Sequence, residues 1–452
     1  MRFNQQWKVT AMRVLTIAIT LALACLTSPS VMARPLLLIS IDGLRPGDVA
    51  EADKRGLHIP NLRRFLREGS HAEAVIGVLP TLTYPSHTTI LTGVGPAQHG
   101  IVNNTTFDPQ NINRQGWFWY SSDIKVPTLW DAVRRAGKST ANVHWPVSVG
   151  QPSIDYNIPQ IWHTGHAYDE KLLAALATPG LLSALEQKLG PYARGVDESI
   201  EGDEIRARFA AAIIAEKRPY FMTAYLTALD HEQHASGPDT PAAHAVLERI
   251  DAIVGQLIAA ERTAQPDADI AVVSDHGFAP VTTEINLYSS FVKAGLIRFD
   301  KAGAVSGWDA MPWPSGGSLA IVLARPDDRA LHDRVAQLLA TLKATPEARI
   351  DAILDKEEIA AMGGNPAADF YIAFGKGAMA ASTFALDAPL AVPSAHYKGM
   401  HGYFPTMPEM RSTFMMMGPD IPVGQSIGTI DMRRIAPRLA EILDVSLAQP
   451  SR

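Results

Sequence analysis

Apolar residues gather at Leu36–Ile41, where five of six positions are Leu or Ile, and the run stops at Asp42 and Gly43. A short unbroken run of this kind predicts a strand buried on both faces. Comparable runs recur at 140–145, 220–226, 270–274 and 412–417. Between them the period changes to that of a helix: Leu62, Phe65 and Leu66 share a face within 59–69, and Val246, Ile250, Ile253, Val254 and Leu257 share one within 241–262. Helices are also predicted after Val126 up to Gly137, over 204–217 and over 432–443. Gly150 to Asp169, rich in Pro, Gly and aromatics, reads as an irregular loop. Strands alternating with helices predict an α/β fold, a doubly wound and mainly parallel sheet with helices on both faces.

The pattern shifts between about 281 and 395. Short strands at 319–324 and 370–374 surround one helix near 327–343 and a charged turn at Asp355-Lys356-Glu357-Glu358, which predicts a smaller α+β insert. The core is then expected in two parts, 34–280 and 396–452. Residues 1–33 read as a signal peptide: Lys8 and Arg13 precede an apolar stretch, and Ser30-Val31-Met32-Ala33 is a small-residue cleavage pattern. The apolar stretch is shorter than the roughly 20 residues a bilayer span needs, so the expectation is a periplasmic or secreted protein with no membrane span in the mature chain. The one cysteine, Cys25, lies in this leader, with Ala22 where a lipid-attachment signal usually carries Leu. A metal site in the mature chain must therefore use His and carboxylates. A net charge of -6 and the lack of any Lys/Arg run argue against a nucleic-acid polymer as partner.

Polar residues with metal-binding chemistry follow the predicted strands. Asp42 ends the first, where open α/β sheets gather their ligands. Asp230 and His234 stand four apart and share a face if helical; His231-Glu232-Gln233-His234 is too closely spaced for the metalloprotease H-E-x-x-H. Asp275-His276-Gly277 ends another strand, and His401 sits among glycines in Lys398-Gly399-Met400-His401-Gly402-Tyr403. Six N/O donors suit two adjacent metals better than one, since zinc takes about four ligands, and a metal pair can hold both sides of a phosphoryl group. Among Thr81, Thr83, Ser86, Thr88 and Thr89, Thr83 is the preferred nucleophile, because it precedes a helix that Pro85 is expected to start and would meet free N–H groups there. Thr81 is its rival. His99-Gly100-Ile101-Val102-Asn103-Asn104 follows, and an Asn amide can donate to a phosphate oxygen.

Taken together, these motifs resemble the nucleotide pyrophosphatase/phosphodiesterase family of the alkaline phosphatase superfamily: Thr83-Tyr84-Pro85-Ser86-His87, Thr92-Gly93, His99-Gly100, Asp230-x-x-x-His234 with Gly237-Pro238, Ser274-Asp275-His276-Gly277 and His401-Gly402-Tyr403. The resemblance implies an alkaline-phosphatase-like fold and two Zn2+ ions, one held by Asp42, Asp275, His276 and Thr83, the other by Asp230, His234 and His401. It implies attack by Thr83 to give a covalent Thr-phosphoryl intermediate, with Asn104 on the non-bridging oxygen and Asn103 as the alternative. Related phosphatases carry a Lys-x-Arg pair after the returning strand, whereas this chain has no Lys or Arg from 139 to 170 and reads Trp145-Pro146 there. The expected substrate is thus a small phosphodiester or nucleotide. A phosphomonoesterase or a phosphonate or phospholipid-headgroup hydrolase is the alternative, and a protein holding zinc for structure alone is a third reading. Tyr84 and Trp145 are expected to contact the substrate, with Trp117, Trp119 and Trp162 as further candidates for an aromatic slot.

Overall fold

In the structure, a computed structural model that describes residues 33–113, 116–161, 168–193, 197–381 and 389–447, eight strands form the sheet that carries the site. They are β1 (Leu36–Ile41), β2 (Ser70–His71), β3 (Thr140–Val143), β4 (Tyr156–Ile158), β5 (Phe221–Leu226), β6 (Asp269–Val273), β7 (Phe414–Met417) and β8 (Gln425–Ser426). Their order is β8-β2-β7-β6-β1-β5-β3-β4. β1 runs parallel to both neighbours, with Ile41 opposite Leu226 and Ser40 opposite Val273, and β3 continues the parallel set. β7 alone runs against the rest, pairing antiparallel with β6 and β2.

Every residue of β1, β5 and β6 is buried, as continuous apolar runs require. Alternate side chains serve opposite faces. Leu37, Ile39 and Ile41 meet helices α1 (Pro60–Glu68), α4 (Ile200–Lys217) and α6 (Pro241–Ala264), through Phe65, Ile213 and Leu257 among others. Leu36 and Leu38 meet the opposite layer, made by α2 (Thr83–Thr92), α3 (Leu129–Arg135) and α7 (Ile435–Leu443), through Ile90, Leu129 and Leu439. Truncating one such Leu to Ala costs about 2–5 kcal/mol. Helix α5 (Ala228–Ser236) follows β5 directly.

Within 281–395, strands Ala310–Pro314, Ser318–Leu323, Phe370–Phe374 and Ile350–Leu354 form an antiparallel sheet, covered by the helix Arg329–Lys343. It belongs to the same compact unit, Arg34–Arg452, as the main sheet. Some element ends differ from the sequence pattern. β3 stops at Val143 because His144 takes a positive φ of 69° and turns the chain. The stretch expected to be irregular after Gly150 supplies the edge strand β4, and helix α2 begins at Thr83, two residues before Pro85. Among the described residues no helix is long and apolar enough to cross a membrane. Residues 1–32 of the expected leader, Cys25 among them, and Trp162 lie outside the described residues.

One buried carboxyl in this scaffold makes stability depend on pH. Glu261, on α6, is 1% exposed; it accepts from Gln265 Nε2 at 2.8 Å through one oxygen and leaves the other unpaired. Burial raises its pKa from 4.5 to about 7. The folded chain therefore binds this proton more tightly than the unfolded chain, so its stabilising contribution is complete below about pH 4.5 and lost as pH rises through about 7. Glu261→Gln should change the melting temperature relative to the parent by an amount that grows in the variant's favour between pH 5 and pH 8, measured by thermal unfolding across that range.

Candidate active site

Four chain segments converge beyond the carboxyl ends of the central strands. Asp42 follows β1 and its N–H donates to Leu226 O at 3.0 Å, which continues the ladder one residue past the strand. Gly43 takes φ 70°, and a Cβ there would press on Gln233 and Phe278, so the turn after Asp42 needs glycine. Asp275 and His276 follow β6; a side chain on Gly277 would run into the Glu409 carbonyl. Asp230 and His234 lie on α5, one turn apart and facing the same way. His401 follows the short strand Gly399–Met400.

These residues form two groups whose ligand atoms lie within 4.8 Å of one another: Asp42, Asp275 and His276, and Asp230, His234 and His401. In the first, His276 Nε2 is 3.3 Å from Asp42 Oδ1 and 3.1 Å from Asp275 Oδ2. In the second, Asp230 reaches His234 Nε2 at 3.3 Å and His401 Nε2 at 3.7 Å. The groups adjoin, because the His276 and His401 rings stack with centroids 3.6 Å apart. Asp42 Oδ1, Asp230 Oδ1 and Asp275 Oδ2 are buried and have no hydrogen-bond partner. All three imidazoles place Nδ1 against a backbone carbonyl: His234 on Gly399 O at 3.0 Å, His276 on Gly277 O at 3.1 Å and His401 on Thr81 O at 3.1 Å. An Nδ1–H donating to each carbonyl leaves each Nε2 lone pair turned into the cluster, which is how a metal-binding imidazole is oriented.

The electrostatics point the same way. Burial, then the charges of Asp230 and Asp275, push the Asp42 carboxyl well above its usual range, and burial followed by Glu198 and Asp275 does so for Asp230. Burial also raises Asp275. Burial lowers His401 to about 3 and His234 to about 4, and holds His276 well below its ordinary value with His401 adding to the effect. Neutral imidazoles beside crowded carboxylates with unpaired oxygens make a donor set suited to divalent cations.

The hydroxyls separate by their partners. Thr81 is fully buried and donates to Tyr403 O at 2.7 Å, whereas Thr83 Oγ1 lies 3.4 Å from His276 Nε2, against the first group. Thr83 is the first residue of α2 and not its cap, which corrects the expected start of the helix; its hydroxyl still stands at the positive end of α2. Asn104 is beside it: its Oδ1 accepts from the Tyr84 N–H at 2.9 Å, which turns its amide group toward α2.

The aromatic slot needs correction. Trp145 is 0% exposed, packed edge-on against His87 and Trp130 in the core beneath the sheet edge, so it offers no face to a ligand. The positive φ at His144 and Val147 sends the chain inward there. Tyr84 is 1% exposed, its ring buried with Ile101 and Val147 and 5.3 Å from Trp117. Neither position is an open substrate wall.

Support beneath the site was not legible as such. The Tyr225 phenol donates to Asp42 Oδ2, and the Tyr225 ring is flanked by His87 at 4.6 Å and His144 at 5.8 Å. His87 bridges Ser40 Oγ at 2.8 Å and Thr83 O at 2.8 Å, four residues on from Thr83 along α2. Its spacing in Thr83-Tyr84-Pro85-Ser86-His87 was a signal for it. Tyr225 had none beyond its place in a buried strand.

The profile of the family described as "Type I phosphodiesterase / nucleotide pyrophosphatase" matches residues 36–404. An uncharacterized pyrophosphatase/phosphodiesterase of Schizosaccharomyces pombe is 27% identical over 302 residues, 64% of this chain and 52% of that protein. Ectonucleotide pyrophosphatase/phosphodiesterase family member 1 of Homo sapiens is 25% identical over 254 residues, 54% of this chain and 23% of that protein. The chain thus spans about half of one curated relative and about a quarter of the other. Among solved structures, murine ectonucleotide pyrophosphatase/phosphodiesterase 5, one form of which is in complex with AMP, is similar with TM-score 0.65 and 19% identity, covering 92% of this chain and 97% of that one. This likeness shows the fold.

Divalent cations should stabilise the folded chain through these two groups. Dialysis against a chelator is expected to lower the melting temperature and added zinc to restore it, since each ion at a hundredfold excess over its Kd adds about 2.7 kcal/mol. Melting curves unchanged by both treatments would count against a cation site.

Proposed function

Because the chain belongs to the type I phosphodiesterase/nucleotide pyrophosphatase family, we propose that it is an exported metal-dependent hydrolase of phosphodiester or pyrophosphate bonds, working through a covalent phosphoryl group on Thr83. The observation that carries this reading is adjacency: two carboxylate and imidazole groups meet at the stacked His276 and His401 rings, and the Thr83 hydroxyl is 3.4 Å from His276 Nε2. Export rests on the leader pattern in residues 1–33.

Asp42, Asp275 and His276, with Thr83, would hold one zinc ion, and Asp230, His234 and His401 the other. The fit rests on the unpaired buried carboxylate oxygens and on the inward Nε2 atoms. When bound, such ions offset negative charge on a phosphoryl group and ease ionisation of the attacking alcohol. The chain supplies the rest. Thr83 Oγ forms a bond to phosphorus as the bond to the leaving oxygen breaks, and the leaving group takes the electron pair. The Thr83 hydroxyl proton is lost to solvent on attack; water then attacks phosphorus and gives up a proton, and Thr83 Oγ departs with the electron pair of its bond to phosphorus and takes up a proton again. Asn104, held through Oδ1 by the Tyr84 N–H, donates its Nδ2 hydrogens to a non-bridging oxygen. The positive end of α2 favours the same anion.

The turn after β3 favours a diester over a monoester. Related phosphatases place cations there, whereas Asn142 here donates to Ser148 Oγ at 3.1 Å and to Asn157 Oδ1 at 2.9 Å, a neutral network. A dianionic monoester would meet no added cation from that turn. The mouse neighbour's complex with AMP supports a nucleotide as part of the substrate.

Purified protein should turn over bis-p-nitrophenyl phosphate with a kcat/KM at least about tenfold above that for p-nitrophenyl phosphate, a difference of about 1.4 kcal/mol; the reverse order would favour the monoesterase. Thr83→Ala should abolish turnover while zinc content stays at the parent's level. Asn104→Ala should cost about 10²–10³ in kcat, the usual loss for one transition-state donor.

A further inference from the structure

Asn103 has no part in the chemistry above, yet it is 4% exposed and engaged at both ends of its amide. Its Oδ1 accepts from the Asn104 N–H at 2.7 Å and from the Thr105 N–H at 3.4 Å. Its Nδ2 donates to Pro314 O at 3.0 Å and to Ser315 Oγ at 3.2 Å. With every donor and acceptor turned to protein, Asn103 cannot also serve a phosphate oxygen, which removes it as an alternative to Asn104.

The far end of these bonds lies in the turn between strands Ala310–Pro314 and Ser318–Leu323, inside the insert. That turn is itself fixed. Ser315 Oγ lies 3.0 Å from the Tyr371 hydroxyl. It also grips the loop that carries His401: Gly317 N–H donates to His401 O at 2.8 Å and Ser318 Oγ to Gly402 O at 2.5 Å. One turn of the insert therefore touches the His401 loop on one side and the Asn103 side chain on the other.

We propose that Asn103 is a positioning residue: it ties the loop bearing Asn104 to this turn of the insert and so fixes the Asn104 amide beside Thr83. The inference rests on the reading of Asn104 as the transition-state donor. Asn104 is then held twice, at its backbone N–H by Asn103 and at its side-chain oxygen by the Tyr84 N–H, and its Nδ2 has no partner among the described residues. Preorganisation of this kind matters because a donor that must be ordered during the reaction loses much of its electrostatic advantage. The insert would thereby contribute to the chemistry without touching the substrate.

A double-mutant cycle on the zinc-loaded full chain tests this, with bis-p-nitrophenyl phosphate as substrate. Asn103→Ala should lower kcat by about tenfold or more, with KM and zinc content near the parent's and a melting temperature lowered by the lost buried hydrogen bonds. In the Asn104→Ala background the same substitution should cost almost nothing further, because a residue that acts only through Asn104 has nothing left to position. Asn103→Asp keeps the oxygen that accepts from the Asn104 N–H but loses the donation to Pro314 O and sets a carboxylate oxygen against that carbonyl, so it should lower kcat much as Asn103→Ala does; a parent-like kcat in Asn103→Asp would overturn the role given to the tie. If Asn104→Ala costs kcat and Asn103→Ala then costs as much again, the Asn104 reading stands and the positioning role is overturned. If Asn104→Ala leaves kcat unchanged, the reading of Asn104 fails, and the inference fails with it.

Discussion

Three carboxylates buried beyond the carboxyl ends of the central strands, each with one oxygen that no hydrogen bond meets, are the constraint on which the rest depends. Transfer of such groups from water is costly unless positive charge or donors meet them. The chain does provide some donors: the Gly43 N–H reaches Asp275 Oδ1 at 3.2 Å and the Tyr225 phenol reaches Asp42. It leaves the remaining oxygens open and surrounds them with imidazoles kept neutral by burial. Such a cluster suits cations, which would complete both the stability of the fold and the proposed activity.

The architecture explains how four distant segments hold such a cluster. Parallel strands β1, β5 and β6 end in register, so the residues that follow them emerge together. Helix α5 then brings Asp230 and His234 to the cluster from one face, and α2 presents Thr83 at its first residue. The imidazoles are aimed by carbonyls from other segments, so the orientation of each depends on tertiary packing beyond its own loop. The insert joins in through its 314–318 turn, whose hydrogen bonds reach both the His401 loop and Asn103.

Much of this was legible in the sequence, for physical reasons that can be named. Buried parallel strands read as continuous apolar runs, so β1, β5 and β6 were found to within a residue, and a carboxylate directly after such a run is conspicuous. Asp230 and His234 could be paired because helical spacing decides whether they share a face. What failed needed tertiary information. The sequence pattern starts this helix at Pro85, because Pro suits a first turn, but Pro is also accommodated at the third position of α2, where its missing N–H has no partner in the helix. Trp145 was assigned to the substrate because aromatic residues near a site invite that reading; the turn at His144 instead drives it into the core. Tyr225 was hidden by its strand, since a buried Tyr gives no sign of what its hydroxyl will meet.

The most direct measurement is a crystal structure of the zinc-loaded protein with anomalous differences recorded at the zinc edge. Two peaks roughly 3.5–4 Å apart are expected, one among Asp42, Asp275 and His276 and the other among Asp230, His234 and His401, with Thr83 Oγ on the first. A single peak, or peaks away from these side chains, would contradict the account.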